Sequence, residues 1–151
     1  MTTHLYYEDL EVGVKFRSRD YTVTAEEVDE FARKYDPQPF HIDPAAAKDT
    51  FFKGIVASGW HTSALTMRLV VESLPIAGGI IGAGVEELRW PNPVRPGDVI
   101  HVESEVIERR VLKSRADMAL VKFSLVTLNQ KGDPVQSMLP NIFAPVRGAG
   151  P

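Results

Sequence analysis

The sequence predicts an α+β domain in which a curled antiparallel β-sheet wraps around one long central α-helix. Residues 54–75 are almost all apolar or small, and Arg68 and Glu72 are their only charges, so they predict a helix that is buried on most sides. From Gly78 onward the pattern changes to alternating segments joined by turns, which indicates antiparallel strands. A sheet that curls around the helix would explain why the helix carries so few charges.

Local signals define the elements that precede the long helix. Thr24 and Glu27 form a capping box, and apolar residues at spacings of three and four follow it, so an amphipathic helix begins here. That helix ends at the Asp36–Pro37 step, because proline cannot continue it. The Asp43–Pro44 step has the N-cap and first-turn residues of a further short helix. We therefore expect residues 36–43 to connect two helices.

Alternation and turn residues define the strands. Residues 14–23 alternate weakly and predict a first strand, and residues 99–108 alternate clearly, which indicates a strand with one face in water. Residues 119–128 are apolar on both faces, so this strand is expected at the centre of the sheet. Residues 129–133 predict a hairpin turn, and residues 135–146 a last strand whose prolines imply bulges or an edge position.

Composition limits the class of protein. With 151 residues, 44% of them hydrophobic, the chain has the size of a single domain spanning residues 1–151, with a flexible tail at about 147–151. A net charge of -3 offers no basic surface for nucleic acid or anionic membranes. The absence of cysteine excludes disulfides and thiolate catalysis. No secretion signal and no membrane-spanning apolar run is visible, so we expect a cytoplasmic protein.

The segment DPQPFHID, residues 36–43, contains the main candidates for catalysis. It holds the carboxylate of Asp36 and the imidazole of His41 five positions apart on backbone that two prolines restrict. Restricted backbone can keep two side chains in a reacting geometry at little entropic cost. A carboxylate with a pKa of about 4 and an imidazole of about 6.5 can together bind a water and move protons at neutral pH. From spacing alone, a turn aspartate beside a packed histidine is the alternative.

The sequence Ala57-Ser58-Gly59-Trp60, at the start of the long helix, is a candidate anion site. The first N–H groups of a helix have no partner within the helix and carry the positive end of its dipole. They can therefore stabilise an oxyanion, and a glycine at position 59 permits close approach. The alternative is that Ser58 is only the N-cap of the helix and Gly59 only relieves crowding.

Other chemistries lack a supporting pattern. His41, Asp43 and His61 do not have a metal-ligand spacing such as HxH or HExxH, so no metal is expected. Ser58 and Ser63 lie outside any GxSxG motif, which leaves a serine hydrolase unsupported. The chain contains neither GxGxxG nor a P-loop motif, so no phosphate-binding loop for a nucleotide cofactor is predicted.

Over nearly its whole length the sequence resembles the MaoC-like dehydratase family, single-domain relatives of the (R)-specific enoyl-CoA hydratases with a hotdog fold. The resemblance lies in YDPQPFHID at 35–43, GIVASGWHTSALTMRL at 54–69, ELRWPNPVRPGD at 87–98 and the turn NQKGDPV. In that family an aspartate and a histidine in a D-x-N-P-x-H pattern act on a water, which implies this catalytic role for Asp36 and His41. The family's helix glycine supplies an oxyanion N–H, which implies this role for Gly59.

Two positions depart from the family pattern. Gln38 stands where the pattern has asparagine, and it can make the same amide hydrogen bonds in structural support of the site. Ser58 stands where a histidine often precedes the helix glycine. Together with Phe40 and Trp60, Ser58 is expected to contact the substrate, so these three residues bear on substrate range.

The resemblance implies a hydro-lyase of fatty acid metabolism, an acyl dehydratase or (R)-specific enoyl-CoA hydratase that adds water reversibly to a trans-2-enoyl thioester. It implies no metal or organic cofactor, with coenzyme A or acyl carrier protein as part of the substrate. It also implies a homodimer or a higher even-numbered homo-oligomer, with the acyl tunnel between protomers. The alternatives are an acyl-CoA thioesterase of the same fold and a non-catalytic acyl-thioester binding module, because one fold hosts several functions.

Overall fold

The fold consists of one antiparallel sheet and four α-helices within residues 3–148, the part of the chain that this computed structural model describes. Its elements follow in the order 3₁₀ turn (Tyr7–Asp9), β1 (Lys15–Arg17), β2 (Tyr21–Thr22), α1 (Ala25–Tyr35), α2 (Pro39–Ile42), α3 (Pro44–Ala47), α4 (Gly59–Ser73), β3 (Ile81–Arg89), β4 (Val99–Val111), β5 (Met118–Leu128) and β6 (Pro134–Pro145). The α+β class and the long helix ahead of the main strands are as the sequence predicted.

The sheet has the strand order β1-β4-β5-β6-β3, with β2 also paired to β4, and all of these pairs are antiparallel. β5 lies in the middle, as its apolar sequence predicted, and every second residue of it is buried. Residues 129–133 form the predicted turn, in which Asn129 Oδ1 accepts hydrogen bonds from the N–H groups of Lys131 (2.9 Å) and Asp133 (3.0 Å). β3 is an edge strand, and β6 is its only strand partner among the described residues.

The core lies between helix α4 and the sheet. Each large apolar side chain buried there contributes about 1.5–3 kcal/mol to stability. The cluster joins residues of α4 to residues of the three central strands, among them Leu65, Leu69, Val70, Val102, Val106, Val121, Phe123, Leu125 and Ile142. These contacts fix the N-terminus of α4 relative to the sheet.

The opposite stripe of α4 is not covered in the single chain. Trp60, Met67 and Val71 follow one another at spacings of seven and four, and their exposed fractions are 59%, 42% and 52%. The sequence predicted a helix buried on most sides. The difference arises because the sheet covers only one face of α4, and the edge strand β3 beside it is itself largely exposed.

Two segments near the N-terminus are more divided than the sequence predicted. The expected first strand is split into β1 and β2, and at the break Ser18 Oγ, instead of a backbone oxygen, accepts the Val102 N–H (2.8 Å). Residues 36–43 do connect two helices, but Pro39 starts the additional single turn α2 within them. Proline is suited to this first helical position, where an N–H would have no partner within the helix.

The last strand, β6, has the bulges that its prolines predicted and not the alternative edge position. β6 is interior, because it pairs with β5 on one side and β3 on the other. Pro140 is nevertheless tolerated there, opposite Val85, and the register shifts lie in the β3–β6 pairing on either side of it.

Of the predicted flexible tail, residues 149–151 lie outside the described residues, whereas Arg147 donates hydrogen bonds to Glu8 and Asp9. Within residues 3–148, no helix combines the length and hydropathy needed to cross a bilayer.

Candidate active site

The turn between α1 and α2 brings Asp36 and His41 together. Asp36 is the C-cap of α1, and Gln38 after it is extended, with φ -87° and ψ 149°. The chain thus leaves one helix and immediately enters the next, whose third residue is His41. His41 Nε2 lies 3.2 Å from Asp36 Oδ2, and both side chains are mostly buried.

The tautomer of His41 follows from its second ring nitrogen. Nδ1 lies 2.6 Å from the backbone oxygen of Val56, and because a carbonyl oxygen can only accept, Nδ1 carries the hydrogen. In the neutral ring Nε2 is then an acceptor, and it faces the carboxylate of Asp36, which is also an acceptor. When the ring is protonated, Nε2–H instead donates to this carboxylate, so the two groups can hold one proton between them and release it.

Two neighbours hold the carboxylate of Asp36. Gln38 Nε2 donates to Oδ1 (2.5 Å), and Ser58 Oγ donates to Oδ2 (2.7 Å). Burial raises the pKa of Asp36, but the hydrogen bonds from Gln38 and Ser58 and the neighbouring His41 outweigh burial and hold the pKa below its usual value. Asp36 is therefore a carboxylate at neutral pH, oriented on both oxygens.

The N-terminus of α4 lies at the same site. Ser58 is its N-cap, and its Oγ accepts the Trp60 N–H (3.3 Å). Gly59 is the first residue of the helix and lines the cavity, and among residues 3–148 no acceptor is found for its N–H. That N–H is thus available to a ligand at the positive end of the helix dipole.

A cavity of about 520 Å³ unites these groups, a volume typical of small-molecule sites. Asp36, His41 and Gly59 line it, and so do Gln38, Phe40 and Trp60, so six of the seven residues selected from the sequence meet at one cavity. Ser58 is the exception, because it is fully buried beneath the cavity wall and contacts Asp36 instead. The structure thus gives Ser58 a position behind the carboxylate and not against a substrate.

The cavity also has walls to which the sequence assigned no role. Phe51 and Phe52 of the α3–α4 loop and Trp90 after β3 line it. Trp90 Nε1–H donates to the side-chain oxygen of Gln136 on β6 (2.9 Å). Trp90 is far in the chain from Gln136 and from the other residues of the site. In the sequence it is only an isolated aromatic residue of the segment 87–98, and no motif connects it to the site.

His61 belongs to a separate, buried pair. Its Nε2 lies 3.3 Å from Glu27 Oε1, and its ring stacks on Phe31 with centroids 4.8 Å apart. Burial lowers the pKa of His61, and the carboxylate of Glu27 offsets this only in part, so the ring is neutral near pH 7. Within the described part of the chain, no three His, Cys, Asp or Glu side chains form a possible metal site.

Known structures and sequences are similar to this chain. A crystal structure of a MaoC-like dehydratase from Rhodospirillum rubrum superposes with a TM-score of 0.91 at 51% identity, covering 95% of this chain and 98% of that one. An R-hydratase from Pseudomonas aeruginosa superposes with a TM-score of 0.78 at 32% identity, covering 95% and 88%. A 3-hydroxybutyryl-CoA dehydratase from Methylorubrum extorquens is 32% identical over 116 residues, 76% of this chain and 72% of the relative.

The chain has a hotdog fold, as the antiparallel sheet packed on α4 and the similar solved structures show. Sequence then defines the family. The model of the MaoC like domain matches residues 9–126, more than half of the chain, so the protein belongs to the MaoC-like dehydratase family. Family membership and the named relatives support a hydratase or dehydratase activity.

Proposed function

We propose that the protein is a hydro-lyase that adds water reversibly to a trans-2-enoyl thioester and forms a 3-hydroxyacyl thioester. The observation that carries this proposal is the carboxylate–imidazole pair, with Asp36 Oδ2 and His41 Nε2 3.2 Å apart at the wall of one cavity. A water can donate one O–H to each of these atoms. This is how a water must be held if it is to lose a proton while its oxygen attacks carbon.

The proposed hydration step conserves protons within the pair. As the water oxygen bonds to C3, the Asp36–His41 pair takes one of the water's protons, and the pair delivers a proton to C2. Negative charge develops on the thioester oxygen during this step, and the Gly59 N–H stabilises it; one such donor contributes about 3 kcal/mol in comparable sites. Dehydration is the reverse. Because the two groups are coupled, the base and acid roles belong to the pair.

Coenzyme A or acyl carrier protein is the proposed carrier of the acyl group. Two side chains carry out the proton transfers of this scheme and one backbone N–H stabilises the developing charge, so the proposal includes no metal and no organic cofactor. A cytoplasmic location and a role in fatty acid metabolism complete the proposal, and they rest on composition and on the named relatives.

A homodimer is part of the same proposal. The edge strand β3 is nine residues long and largely exposed, and the exposed stripe of α4 lies in the same single chain. Long, uncovered edge strands favour pairing with another chain. A second copy that pairs along β3 would cover Met67 and Val71 of α4 and Ile81 and Val85 of β3 together. Pairing of this kind would join the two sheets, and residues of both protomers would then form the walls of the acyl tunnel.

The test is the loss of enoyl absorbance when the protein meets crotonyl-CoA. Wild type should form the (R)-3-hydroxy product, and Asp36→Asn and His41→Ala should each lose at least about 100-fold in kcat. Asp43→Asn and His101→Ala are the matched controls. Asp43 caps α3, His101 pairs with Glu103, and neither lines the cavity, so both variants should retain activity. Equal activity of wild type and Asp36→Asn would refute the assignment.

The same assay separates the two alternatives. A thioesterase would release free thiol from crotonyl-CoA, whereas a hydratase leaves the thioester intact. A binding module would turn over nothing, and its affinity for acyl-CoA would survive Asp36→Asn. The carboxylate–imidazole pair at the cavity wall favours water activation over simple binding, because the two groups together can take up and return a proton.

A further inference from the structure

The backbone of Gly59 lies against the indole ring of Trp90. A Cβ atom added at Gly59 would lie 2.8 Å from two carbons of that ring, far inside van der Waals contact. The ring therefore admits only glycine at this position. Trp90 also lines the cavity that contains Asp36 and His41, so its indole forms part of the cavity wall beside Gly59.

A buried amide holds the indole ring in this position. Trp90 Nε1–H donates to Gln136 Oε1 (2.9 Å), and Ser63 Oγ donates to the same oxygen (2.6 Å). Gln136 is fully buried, and a buried amide is stable only when it is hydrogen-bonded. Trp60 packs edge-on against the Trp90 ring, with centroids 5.0 Å apart. The ring is thus fixed by a hydrogen bond at one side and an aromatic contact at another.

This wall lies next to the thioester carbonyl if that carbonyl binds the Gly59 N–H. The carbonyl carbon has two substituents, sulfur and C2. The sulfur side is the same in every thioester of one carrier, so C2 is the only position next to the carbonyl where acyl groups differ. A rigid indole at this point leaves little room for a branch on C2.

We propose that Trp90, held by Gln136, is a specificity-determining residue that restricts the site to 2-enoyl thioesters without a substituent on C2. This inference rests on the proposed function, because it uses the Gly59 N–H as the carbonyl site. The acyl group is packed flat between the indole and the catalytic pair, and a methyl group on C2 collides with the ring. Gln136 acts only through Trp90 and is a positioning residue.

The test compares kcat/KM for crotonyl-CoA and for its 2-methyl derivative, tigloyl-CoA. Wild type should prefer crotonyl-CoA, and Trp90→Leu should reduce that preference by about tenfold or more, since one methyl group in an apolar pocket is discriminated by roughly 10- to 200-fold. Trp90→Phe and Gln136→Leu each break the anchoring hydrogen bond from one side and should reduce the preference less. Ser18→Ala is the control, because it breaks a buried hydrogen bond from the Val102 N–H, away from Gln136 and from the cavity, and it should leave the preference unchanged.

Two readouts keep this inference separate from the proposed function. Titration with butyryl-CoA and 2-methylbutyryl-CoA measures the same discrimination as a ratio of Kd values, without any hydration. If wild type hydrates neither enoyl substrate, the proposed function fails, and the Kd ratio of Trp90→Leu alone decides the inference. If crotonyl-CoA is hydrated but Trp90→Leu keeps the wild-type preference, the inference is overturned and the proposed function stands.

A spectroscopic measurement tests the anchor itself. Trp60 and Trp90 are the two tryptophans of the chain, so Trp60→Phe leaves Trp90 as the single indole emitter. Adding Gln136→Leu to that background should shift the emission of Trp90 to longer wavelength, because the freed ring gains contact with water. An unshifted spectrum together with an unchanged substrate preference would refute the role of Gln136.

Discussion

Replacing Ser58 by alanine removes two hydrogen bonds with one atom. Ser58 Oγ donates to Asp36 Oδ2 (2.7 Å) and accepts the Trp60 N–H at the start of α4 (3.3 Å). The residue is fully buried, so water cannot readily replace either bond. The variant therefore tests whether this serine orients the catalytic carboxylate.

The expected magnitude follows from the two bonds. A hydrogen bond to a charged acceptor contributes about 1.5–3 kcal/mol, and the long cap bond about 0.5 kcal/mol, at the low end for N-caps. Ser58→Ala should therefore lower the free energy of unfolding by about 2–3.5 kcal/mol at pH 7. In an Asp36→Asn background the acceptor is neutral and its bond is worth about 1 kcal/mol, so the two substitutions should couple by about 0.5–2 kcal/mol.

The assay is urea unfolding of the four proteins of this double-mutant cycle at one protomer concentration, since a dimer's stability depends on concentration. Ser73→Ala is the control, because Ser73 donates only to backbone oxygens of the same helix, and it lies roughly 20 Å along α4 from Ser58. It should show no coupling with Asp36→Asn. A coupling energy for Ser58 below about 0.3 kcal/mol, the usual scatter of additivity, would refute the reasoning.

Acid and kinetics provide two further readouts for Ser58→Ala. Because the pKa of Asp36 is lowered in the folded protein, its carboxylate stabilises the fold at pH values above the ordinary pKa of 3.8. This stabilisation is lost as the pH falls through the lowered pKa. Ser58→Ala should raise this pKa, so its stability deficit should shrink in acid. Because Ser58 does not line the cavity, we expect kcat to fall by about tenfold or more with little change in KM.

Three further predictions concern other parts of the molecule. Burial lowers the pKa of His61, so the free energy of unfolding should decrease as the pH falls below 6.5, and it should decrease less steeply in His61→Leu. Urea unfolding at several pH values checks this, and an equal dependence on pH in both proteins would contradict it. Val71→Asp puts a charge on the proposed dimer face and should give monomers in sedimentation where wild type gives dimers, whereas intact dimers would exclude that face. Gly59→Ala should lose hydration through collision with Trp90, and Gly59→Ala/Trp90→Leu should recover part of it; a double variant as inactive as the single would exclude the steric cause.

The parts of the site that the sequence predicted are those defined by neighbours in the chain. The restricted segment from Asp36 to His41 predicts a close pair, because two prolines leave few backbone conformations for these six residues. The capping box of Thr24 and Glu27 is present for the same local reason, with Thr24 Oγ1 accepting the Glu27 N–H (3.2 Å). Such features depend on spacing, which a sequence displays directly.

The parts that the sequence did not predict depend on distant residues. Gln136 and Trp90 are 46 positions apart, and neither forms a recognisable motif with the other. Ser58 looks like an N-cap in sequence and is one, but its second hydrogen bond reaches back 22 positions to Asp36. The exposed stripe of α4 could not be foreseen either, because composition shows that a helix is apolar and not which chain covers it.

The hydrogen bond from His41 to Val56 has a consequence for how this site can change in evolution. The acceptor is a backbone oxygen, and the Val56 N–H in turn donates to the Phe40 oxygen (3.0 Å), so the histidine tautomer is set by main chain alone. Side-chain substitutions at position 56 leave both groups in place, and proline removes only the N–H. Insertions or deletions in the loop before α4 shift the oxygen itself. Lineages that keep the reaction should therefore exchange one apolar residue for another at this buried position but hardly vary the length of that loop.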